Sequence, residues 1–308
     1  MPQGSTRVSK PLTNLSIHYT NEEYIASRAC PDISVKNEND LYWVYNSDRR
    51  LPETRRANGA LANQVTWDAS TSSYSVSEHS LKDVITDRDY MNADSALQIE
   101  KHTSENLIDK IMMRQEYETA KLLFTTTTFS NNATLTSVTS WKYHTTTSAP
   151  IANVLSATGY IIQQSGKRPN KMIMGWNVFE ALKENQNVYS RIQYVERALL
   201  TEQILSSVFD VQEVLVGTAI TNSGDEGQAD SLGLIWGSDC VVGYFKNNPG
   251  LRDVTAAGTM RVKQYGSPYK VKKWREEDVE GNYIECQSMY APKAIATACA
   301  YLFKTAAL

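Results

Sequence analysis

The chain has 308 residues, of which 41% are hydrophobic and 21% are charged, as is typical of a globular protein with one large domain or two smaller ones. Its formal net charge of −3 argues against a general nucleic-acid binder, which needs surplus Lys and Arg to displace counterions, although a surface that merely encloses nucleic acid stays open. No apolar run approaches the roughly 18–20 residues of a membrane span, and the polar residues 1–10 lack the apolar core of a signal peptide.

The four cysteines are far apart in the chain and form no CxxC pair. Such spacing favours small buried side chains in a reducing compartment over a metal site or a disulfide framework. They are Cys30, Cys240, Cys286 and Cys299.

The first 90 residues predict an extended arm followed by a long β-ribbon. Residues 1–16 are polar, residues 21–28 predict a short helix, and residues 41–45 (Leu-Tyr-Trp-Val-Tyr) are strongly β-prone. A second extended arm follows around Val65–Val76, and Asn58-Gly59 between the arms is typical of a tight hairpin turn. Because an isolated hairpin is marginal in water, the ribbon needs a surface to lie on, either in its own domain or on another subunit.

Four arginines, Arg49, Arg50, Arg55 and Arg56, make the tip of this ribbon basic. A phosphate-binding patch is one interpretation, but no aromatic interleaving or Gly-rich cradle accompanies them. A contact with a neighbouring protein surface is the favoured one.

Residues 94–124 predict a single long helix without Pro or Gly, about 45 Å long at ~1.5 Å per residue. Ser95 and Gln98 fit a capping box at its start, and Thr125–Thr128 end it. The polar face carries alternating charges. The predicted apolar face, at three- and four-residue steps, comprises Leu107, Ile108, Ile111, Met112, Tyr117, Ala120 and Leu123.

The stretch 150–245 predicts a compact α/β unit. Pro150 begins a helix that Gly166 is placed to end, and alternating strands and helices follow it. We predict strands at 171–174, 211–221 and within 232–244, with helices at 176–183 and 199–209.

The tail predicts three strands, 269–274, 283–290 and 294–303, which we expect to pair beside the long helix. Arg275 and the acidic Glu276, Glu277 and Asp278 follow the first of them. Adjacent strand residues point to opposite faces, which is a poor geometry for paired catalytic carboxylates, so salt bridges to a neighbouring surface are favoured.

No catalytic constellation emerges from the sequence. The four histidines are scattered, HExxH and GxSxG are absent, and the glycine-rich residues 223–227 lack phosphate-loop spacing and are acidic. The sequence therefore predicts a protein that is not an enzyme and that needs no cofactor or metal.

The order of these parts resembles the major capsid proteins of tailed bacteriophages, which have the HK97-like fold. The resemblance covers about residues 20–304 and depends on the order and spacing of several stretches rather than on one motif. The stretches are 25–35, 41–45, the long helix through Leu122-Leu123-Phe124, 136–154, 166–170, 214–217, 234–237 and Trp274-Arg275-Glu276.

This resemblance implies an α+β capsid fold with four parts. Residues 1–35 would form the N-arm and 36–90 an extended β-hairpin, the E-loop. Residues 91–148 and 266–308 would form the P-domain with its spine helix at 94–124, and 149–265 an α/β A-domain.

The resemblance also implies a function in the virion capsid. Copies of the chain would assemble in the host cytoplasm as hexamers and pentamers into an icosahedral shell around double-stranded DNA, without sequence-specific DNA binding or membrane contact. Portal, scaffold and decoration proteins are the expected partners. The expected inter-subunit contact residues are Arg49, Arg50, Arg55, Arg56, Trp67, Arg275, Glu276 and Glu277.

Two details of the family pattern are expected to differ in this chain. Some members crosslink a ribbon lysine to a neighbouring asparagine, but the lysine between Asp40 and Asp94 is Lys82, near the ribbon base, so we predict noncovalent contacts. Fewer than forty residues precede the ribbon, which favours a separate scaffold protein over a cleaved N-terminal scaffolding segment.

Two alternatives belong to other classes. An encapsulin-type cellular shell would share the fold and hold cargo enzymes instead of DNA. A soluble α/β enzyme is suggested only by residues 150–245.

Overall fold

In the computed structural model, the described residues are 7–8, 24–45, 51–65, 69–92, 96–136, 138–142, 148–192, 201–224, 228–250, 253–263 and 267–307. The helices are α1 (Ala26–Ala29), α2 (Asp87–Asn92), α3 (Ala96–Leu123), α4 (Pro150–Ser165), α5 (Trp176–Glu184), α6 (Gln186–Ile192) and α7 (Glu202–Phe209). The strands up to the α/β unit are β1 (Arg7–Val8), β2 (Asp32–Val35), β3 (Asn39–Tyr45), β4 (Ala69–Ser75), β5 (Ser77–Thr86) and β6 (Asn132–Thr134). The later strands are β7 (Lys171–Gly175), β8 (Glu213–Gly217), β9 (Ile220–Asn222), β10 (Leu232–Leu234), β11 (Cys240–Gly243), β12 (Ala257–Val262), β13 (Lys270–Glu276), β14 (Gly281–Ala294) and β15 (Ala300–Lys304).

The first sheet is built around β14, which is 14 residues long. One of its edges pairs along its length with β5, and the other pairs with β13 and then with β12, all antiparallel. Strand β2 joins β12 in parallel, and β1 joins β13. Helix α3 packs across one face of this sheet, where Ile108, Ile111 and Ile284 are fully buried.

The second sheet has the order β6-β15-β11-β7-β8 and is covered on both faces. All residues of β7 and β11 are buried, as expected for strands with helices above and packed chain below. On one face Met172, Met174 and Val242 meet helices α4, α5 and α7. On the other face Ile173 and Leu302 meet the C-terminal turns of α3.

Helix α3 therefore contributes to both hydrophobic cores, its first half to the first sheet and its last turns to the second. The predicted long helix is confirmed over Ala96–Leu123, while the proposed cap at Asp94 and Ser95 lies outside the described residues. The predicted helix from Pro150 to the left-handed Gly166 (φ +66°) is also confirmed, and the four cysteines are buried as expected.

The predicted apolar face of α3 is wrong at Tyr117, which is 42% exposed. The buried stripe instead includes the polar Gln115, Glu116 and Thr119. The prediction counted only apolar residues and therefore placed Tyr117 on the buried face. Glu116, one residue earlier and thus about 100° away around the helix, occupies that face instead.

Strand membership differs from the predicted parts at three places. Strand β15 enters the second sheet rather than pairing beside β13 and β14, because Leu302 and Phe303 alternate between its two buried faces. Strand β6 also belongs to the second sheet, through β15, whereas β12 belongs to the first. The predicted strand 211–221 is interrupted at 218–219 and forms β8 and β9.

Among the described residues, no helix is long and apolar enough to span a membrane.

We expect Leu302→Ala to lower the free energy of unfolding by about 2–5 kcal/mol, because it opens a cavity in the core beneath the second sheet. Chemical denaturation measures this change. The matched control is Leu232→Ala in the exposed hairpin β9–β10, where Leu232 is 69% exposed and the change should stay within about 0.5 kcal/mol. Equal losses in the two variants would contradict the assignment of the second core.

Candidate functional site: the spine-helix junction and the exposed ribbon

A buried carboxylate in the C-terminal third of α3 joins three distant parts of the chain. Glu116 is fully buried; its Oε1 accepts hydrogen bonds from the backbone N–H of Ile25 (3.0 Å) and Nε1–H of Trp236 (2.5 Å). Its Oε2 accepts from the backbone N–H of Ala26 (2.8 Å). These N–H groups lie at the start of α1, where the helix has no intrahelical partners for them. Glu116 thus ties the N-terminal segment and the Trp236 turn to the spine helix.

Trp236 reaches Glu116 because Gly217, at the end of β8, leaves room for its ring. A Cβ atom on Gly217 would lie 2.0 Å from the indole Cδ1. Trp236 is itself fully buried and meets Phe124 edge-on, with ring centroids 5.5 Å apart. The second sheet and the end of α3 are therefore fitted to one another through this aromatic pair.

A buried guanidinium forms a second connection at Gln115, the neighbouring residue of α3. Arg261 on β12 is 2% exposed, and its Nε–H donates to Asp32 of β2 at 2.8 Å. Its Nη1 donates to Ser288 Oγ of β14 (2.9 Å) and its Nη2 to Gln115 Oε1 of α3 (2.8 Å). One side chain therefore joins three strands of the first sheet to the spine helix with its charge paired, as burial requires.

A third polar cluster joins α1 to the second sheet. The Lys171 ammonium, 4% exposed, donates to the Arg28 carbonyl oxygen (2.7 Å) and lies 3.2 Å from Glu213. Burial raises the pKa of Glu213, but hydrogen bonds and charge from Arg28 and Lys171 outweigh this effect, so that its pKa lies below the ordinary value.

The predicted two-stranded ribbon is confirmed by the pairing of β3 with β4, from Asn39↔Ser75 to Tyr45↔Ala69. One face of the ribbon packs on its own first sheet, where Tyr42, Tyr74 and Val76 are buried against Ile33 and Met289. Of the two surfaces that the sequence leaves open for the ribbon, this face therefore uses its own domain.

The opposite face of the ribbon is uncovered. Leu41 is 63% exposed and Trp43 is 59% exposed, both on β3. Beyond the strands, all residues from 51 to 65 are exposed, among them Leu51, Leu61 and Val65. The Asn58-Gly59 turn forms, with Gly59 at φ +79°, but within this longer exposed tip and not as a tight link between paired strands. We call Leu41, Trp43, Leu51, Leu61 and Val65 the ribbon apolar surface.

Helix α4 presents a second uncovered surface. None of its 16 residues is charged, whereas a solvent-facing helix normally carries charged residues on its outer face. Its outer side includes Leu155 (70% exposed) and Ile162 (45% exposed), seven residues apart. Such a face is typical of a helix that becomes buried in an assembly.

The contact residues predicted from the sequence fall into three groups: some are exposed, some lie outside the described residues, and some are paired within the chain. Arg55 and Arg56 are exposed in the ribbon tip, while Arg49, Arg50 and Trp67 lie outside the described residues. Arg275 donates from both terminal nitrogens to Asp87 of α2 (2.8 and 2.7 Å) and from Nε to Glu277 (2.9 Å). The hydrogen bond from Arg275 is the largest effect on the Asp87 carboxyl group and holds the pKa of Asp87 below the ordinary value. Arg275 and Glu277 thus have intramolecular partners, and both residues are exposed, as is Glu276.

Sequence reasoning missed the buried polar residues Glu116, Arg261 and Gln115. Glu116 had a detectable signal, since it lies four residues after Met112 and four before Ala120 on the apolar spacing. Arg261 had none, because its partners are up to 229 residues away in the chain. Among the described residues no group of His, Cys, Asp and Glu is arranged to hold a metal ion.

Comparisons with known proteins decide the class of this fold. No family model matches the chain. The major capsid protein of Burkholderia phage BcepMu is 26% identical over 302 residues, covering 96% of this chain and 95% of that protein. The major capsid protein of Pseudomonas phage JBD67 is 24% identical over 236 residues, covering 75% and 74%.

The chain is thus similar, over most of its length, to phage major capsid proteins. Its fold agrees with a solved phage-related protein from Bordetella bronchiseptica RB50, with a TM-score of 0.80 and 18% identity over 99% of both chains. The capsid of cyanophage P-SCSP1u has a TM-score of 0.56 and 12% identity, covering 90% of this chain and 86% of that one. The predicted HK97-like capsid fold is thereby confirmed at the level of the whole chain, and the encapsulin alternative is not favoured because the relatives found by sequence are phage capsid proteins.

The relatives of this capsid protein are structural proteins, which agrees with the predicted absence of an enzymatic role at that coarse level. The site therefore has a structural role: Glu116 and Arg261 hold separate parts of the chain on the spine helix. The ribbon and α4 each leave apolar side chains exposed.

Replacing Arg261 by Leu should lower the free energy of unfolding by about 3–5 kcal/mol, because Asp32, Gln115 and Ser288 lose their common donor. Chemical denaturation at neutral pH provides the measurement. The control is Arg168→Leu, whose exposed pair with Asp210 should contribute at most about 1 kcal/mol. A loss at Arg261 as small as the control would refute the assigned role.

Glu116→Gln should change the pH dependence of stability. Burial raises the pKa of Glu116, and the hydrogen bonds from Ile25, Ala26 and Trp236 lower it by less, so the folded state takes up a proton more readily than the unfolded state. Stability contributed by this group is thus present at acidic pH and falls as pH rises from the ordinary 4.5 through the raised value.

The comparison is denaturation of wild type and Glu116→Gln between pH 4 and 7, with exposed Glu276→Gln as the control. The cost of Glu116→Gln should be largest at acidic pH and shrink as pH rises. A cost that grows with pH would show that the folded-state pKa is lowered instead.

Proposed function

We propose that this capsid protein assembles as hexamers and pentamers into an icosahedral shell that encloses double-stranded phage DNA. The observation that supports the proposal most directly is the ribbon apolar surface, because Leu51 and Leu61 are 97% and 94% exposed in the isolated chain. Exposed apolar side chains on a projecting ribbon are a recurrent feature of protein interfaces. A second copy of the chain is the occupant that a shell of identical subunits supplies.

The ribbon would act as the E-loop, within about residues 36–90, and reach over an adjacent subunit. Arg55 and Arg56 would add electrostatic contacts at its tip, together with Arg49 and Arg50, and Trp67 would add an apolar contact. Exposed Glu276 and Glu277 offer carboxylates of the opposite sign on the P-domain side of the chain. Exposed ion pairs are individually weak, so we assign most of the affinity to apolar burial and to the number of simultaneous contacts.

The second sheet with its helices would act as the A-domain and meet its copies around the capsomer axis through uncharged α4. A ring of identical subunits needs two different surfaces on each protomer, since every interface is heterologous. The N-arm (1–35) and the P-domain with the spine helix would complete the protomer. Because β6 and β15 pair in the second sheet and β12 pairs in the first, the P- and A-domains that we propose would interleave along the chain.

The contacts would be noncovalent. Lys82 lies on β5 with its ammonium 4.8 Å from the centroid of the Tyr283 ring, at the base of the ribbon and within its own chain. It is thus poorly placed to crosslink through the ribbon tip.

A mildly acidic chain suits a container, because a strongly basic inner wall would adsorb the packaged DNA. Portal, scaffold and decoration proteins are the further partners that we propose, with assembly in the host cytoplasm.

Electron microscopy and sedimentation of the purified chain, with and without its phage's scaffold protein, test the proposal. Wild type should form closed shells, and the pair Leu41→Glu and Trp43→Glu should abolish them while leaving the far-UV circular dichroism spectrum unchanged. Val138→Glu is the control, since Val138 is an exposed apolar residue (55%) outside both surfaces. Shells formed normally by the double variant would exclude the ribbon as an interface.

A further inference from the structure

His79 lies where the ribbon's return strand crosses the spine helix. It belongs to β5, which follows β4 directly after Val76 and pairs with β14. Its ring stacks on the Tyr290 ring, with centroids 4.2 Å apart and planes inclined by 15°. Its Nε2 lies 3.9 Å from a carboxylate oxygen of Glu118 on α3, and about a fifth of the side chain is exposed. The imidazole thus fills the angle between β5, β14 and α3.

The charged groups that face His79 come from every element packed around it. Helix α3 contributes Arg114 and Glu118, and the Arg114 Nε–H already donates to Glu118 at 2.7 Å. Strand β12 contributes Arg261, whose guanidinium lies 5.4 Å from the Tyr290 ring centroid, and β14 contributes the Tyr290 phenol. The carboxylate partners of these arginines are already engaged, Glu118 by Arg114 and Asp32 by Arg261, so a proton on His79 would add a positive charge that has no free carboxylate to pair with.

Burial acts in the same direction as this charge balance. It lowers the pKa of His79 and is the largest effect; Glu118 raises the pKa, while Arg114 and Arg261 lower it further, so the net value lies below the ordinary 6.5. The unfolded or detached strand binds the proton more readily than the packed strand does. Packing stability from this group is therefore complete above pH 6.5 and is lost as pH falls through the lowered folded-state value.

We propose that His79 is a proton-sensitive latch, whose protonation loosens β5 from α3 and releases the ribbon at its root. The functional meaning of this latch rests on the proposed role of the ribbon as an inter-subunit contact. A shell subunit with such a latch would hold its ribbon fixed at neutral pH and allow it to change its angle in acid.

Hydrogen–deuterium exchange of the full-length, unassembled chain tests the latch directly. Amides of β5, residues 77–86, should lose protection severalfold between pH 7.5 and pH 5.0 after correction for intrinsic exchange, because the detached strand binds the proton more readily than the packed strand. His79→Gln should keep protection within about twofold over the same interval. His102→Gln is the control, because His102 lies on the same spine helix with 75% of its side chain exposed and should respond as wild type does.

A second measurement covers the case in which His79→Gln fails to fold. Nuclear magnetic resonance titration of the histidine rings in wild type should show His79 titrating below the ordinary histidine value of 6.5. Unchanged β5 protection in wild type at both pH values, or a His79 ring that titrates above 6.5, would overturn the latch. Shell formation by electron microscopy is scored separately, so a ribbon that makes no inter-subunit contact is distinguished from a latch that does not open.

Discussion

The buried polar contacts of the spine helix are the constraint on which the protomer depends. Glu116 and Gln115 are adjacent on α3, and through Trp236, Ile25, Ala26 and Arg261 they bind the N-terminal segment, the second sheet and the first sheet. Hydrophobic burial holds each sheet to the helix but does not fix its angle, because it is non-directional. Hydrogen bonds with defined geometry do so, and an unpaired partner at these depths is costly.

This arrangement explains how the two sheets keep a defined orientation relative to one another. The two sheets share no continuous strand; they are connected through α3, whose two halves lie in different cores. The relative orientation of the sheets is therefore set by this helix together with Ala257 of β12, which packs in the second core. The ribbon, by contrast, is fixed on one face only, through Tyr42, Tyr74 and Val76. A rigid body with a partly fixed extension is a reasonable subunit for a shell in which neighbouring contacts are not all identical.

The sequence predicted those features that depend on local periodicity. The 28-residue helix, the Pro150-to-Gly166 helix and the antiparallel ribbon follow from spacing, capping and β-propensity, each of which acts within a few residues. The sequence did not predict correctly which sheet each strand joins. Nothing local distinguishes β15 from β13, and only the burial of both its faces places it in the second sheet. The buried Glu116 and Arg261 were missed because binary patterning treats a charged residue as exposed, whereas these charges are satisfied by partners distant in sequence. Tyr117 was misplaced for the same reason, since the polar residues that displace it were not expected inside.

The parallel pairing of β2 with β12 has a consequence for how the chain is made. The Asp32–Arg261 contact joins residues 229 positions apart, so the first sheet cannot close until β12 has left the ribosome. The ribbon, with its uncovered leucines, is synthesised long before that closure. Throughout the intervening elongation, the nascent chain exposes apolar surface on the ribbon and on the unpaired strands. Neighbouring copies on a polysome therefore cannot meet through a finished first sheet until β12 has joined β2 in each of them.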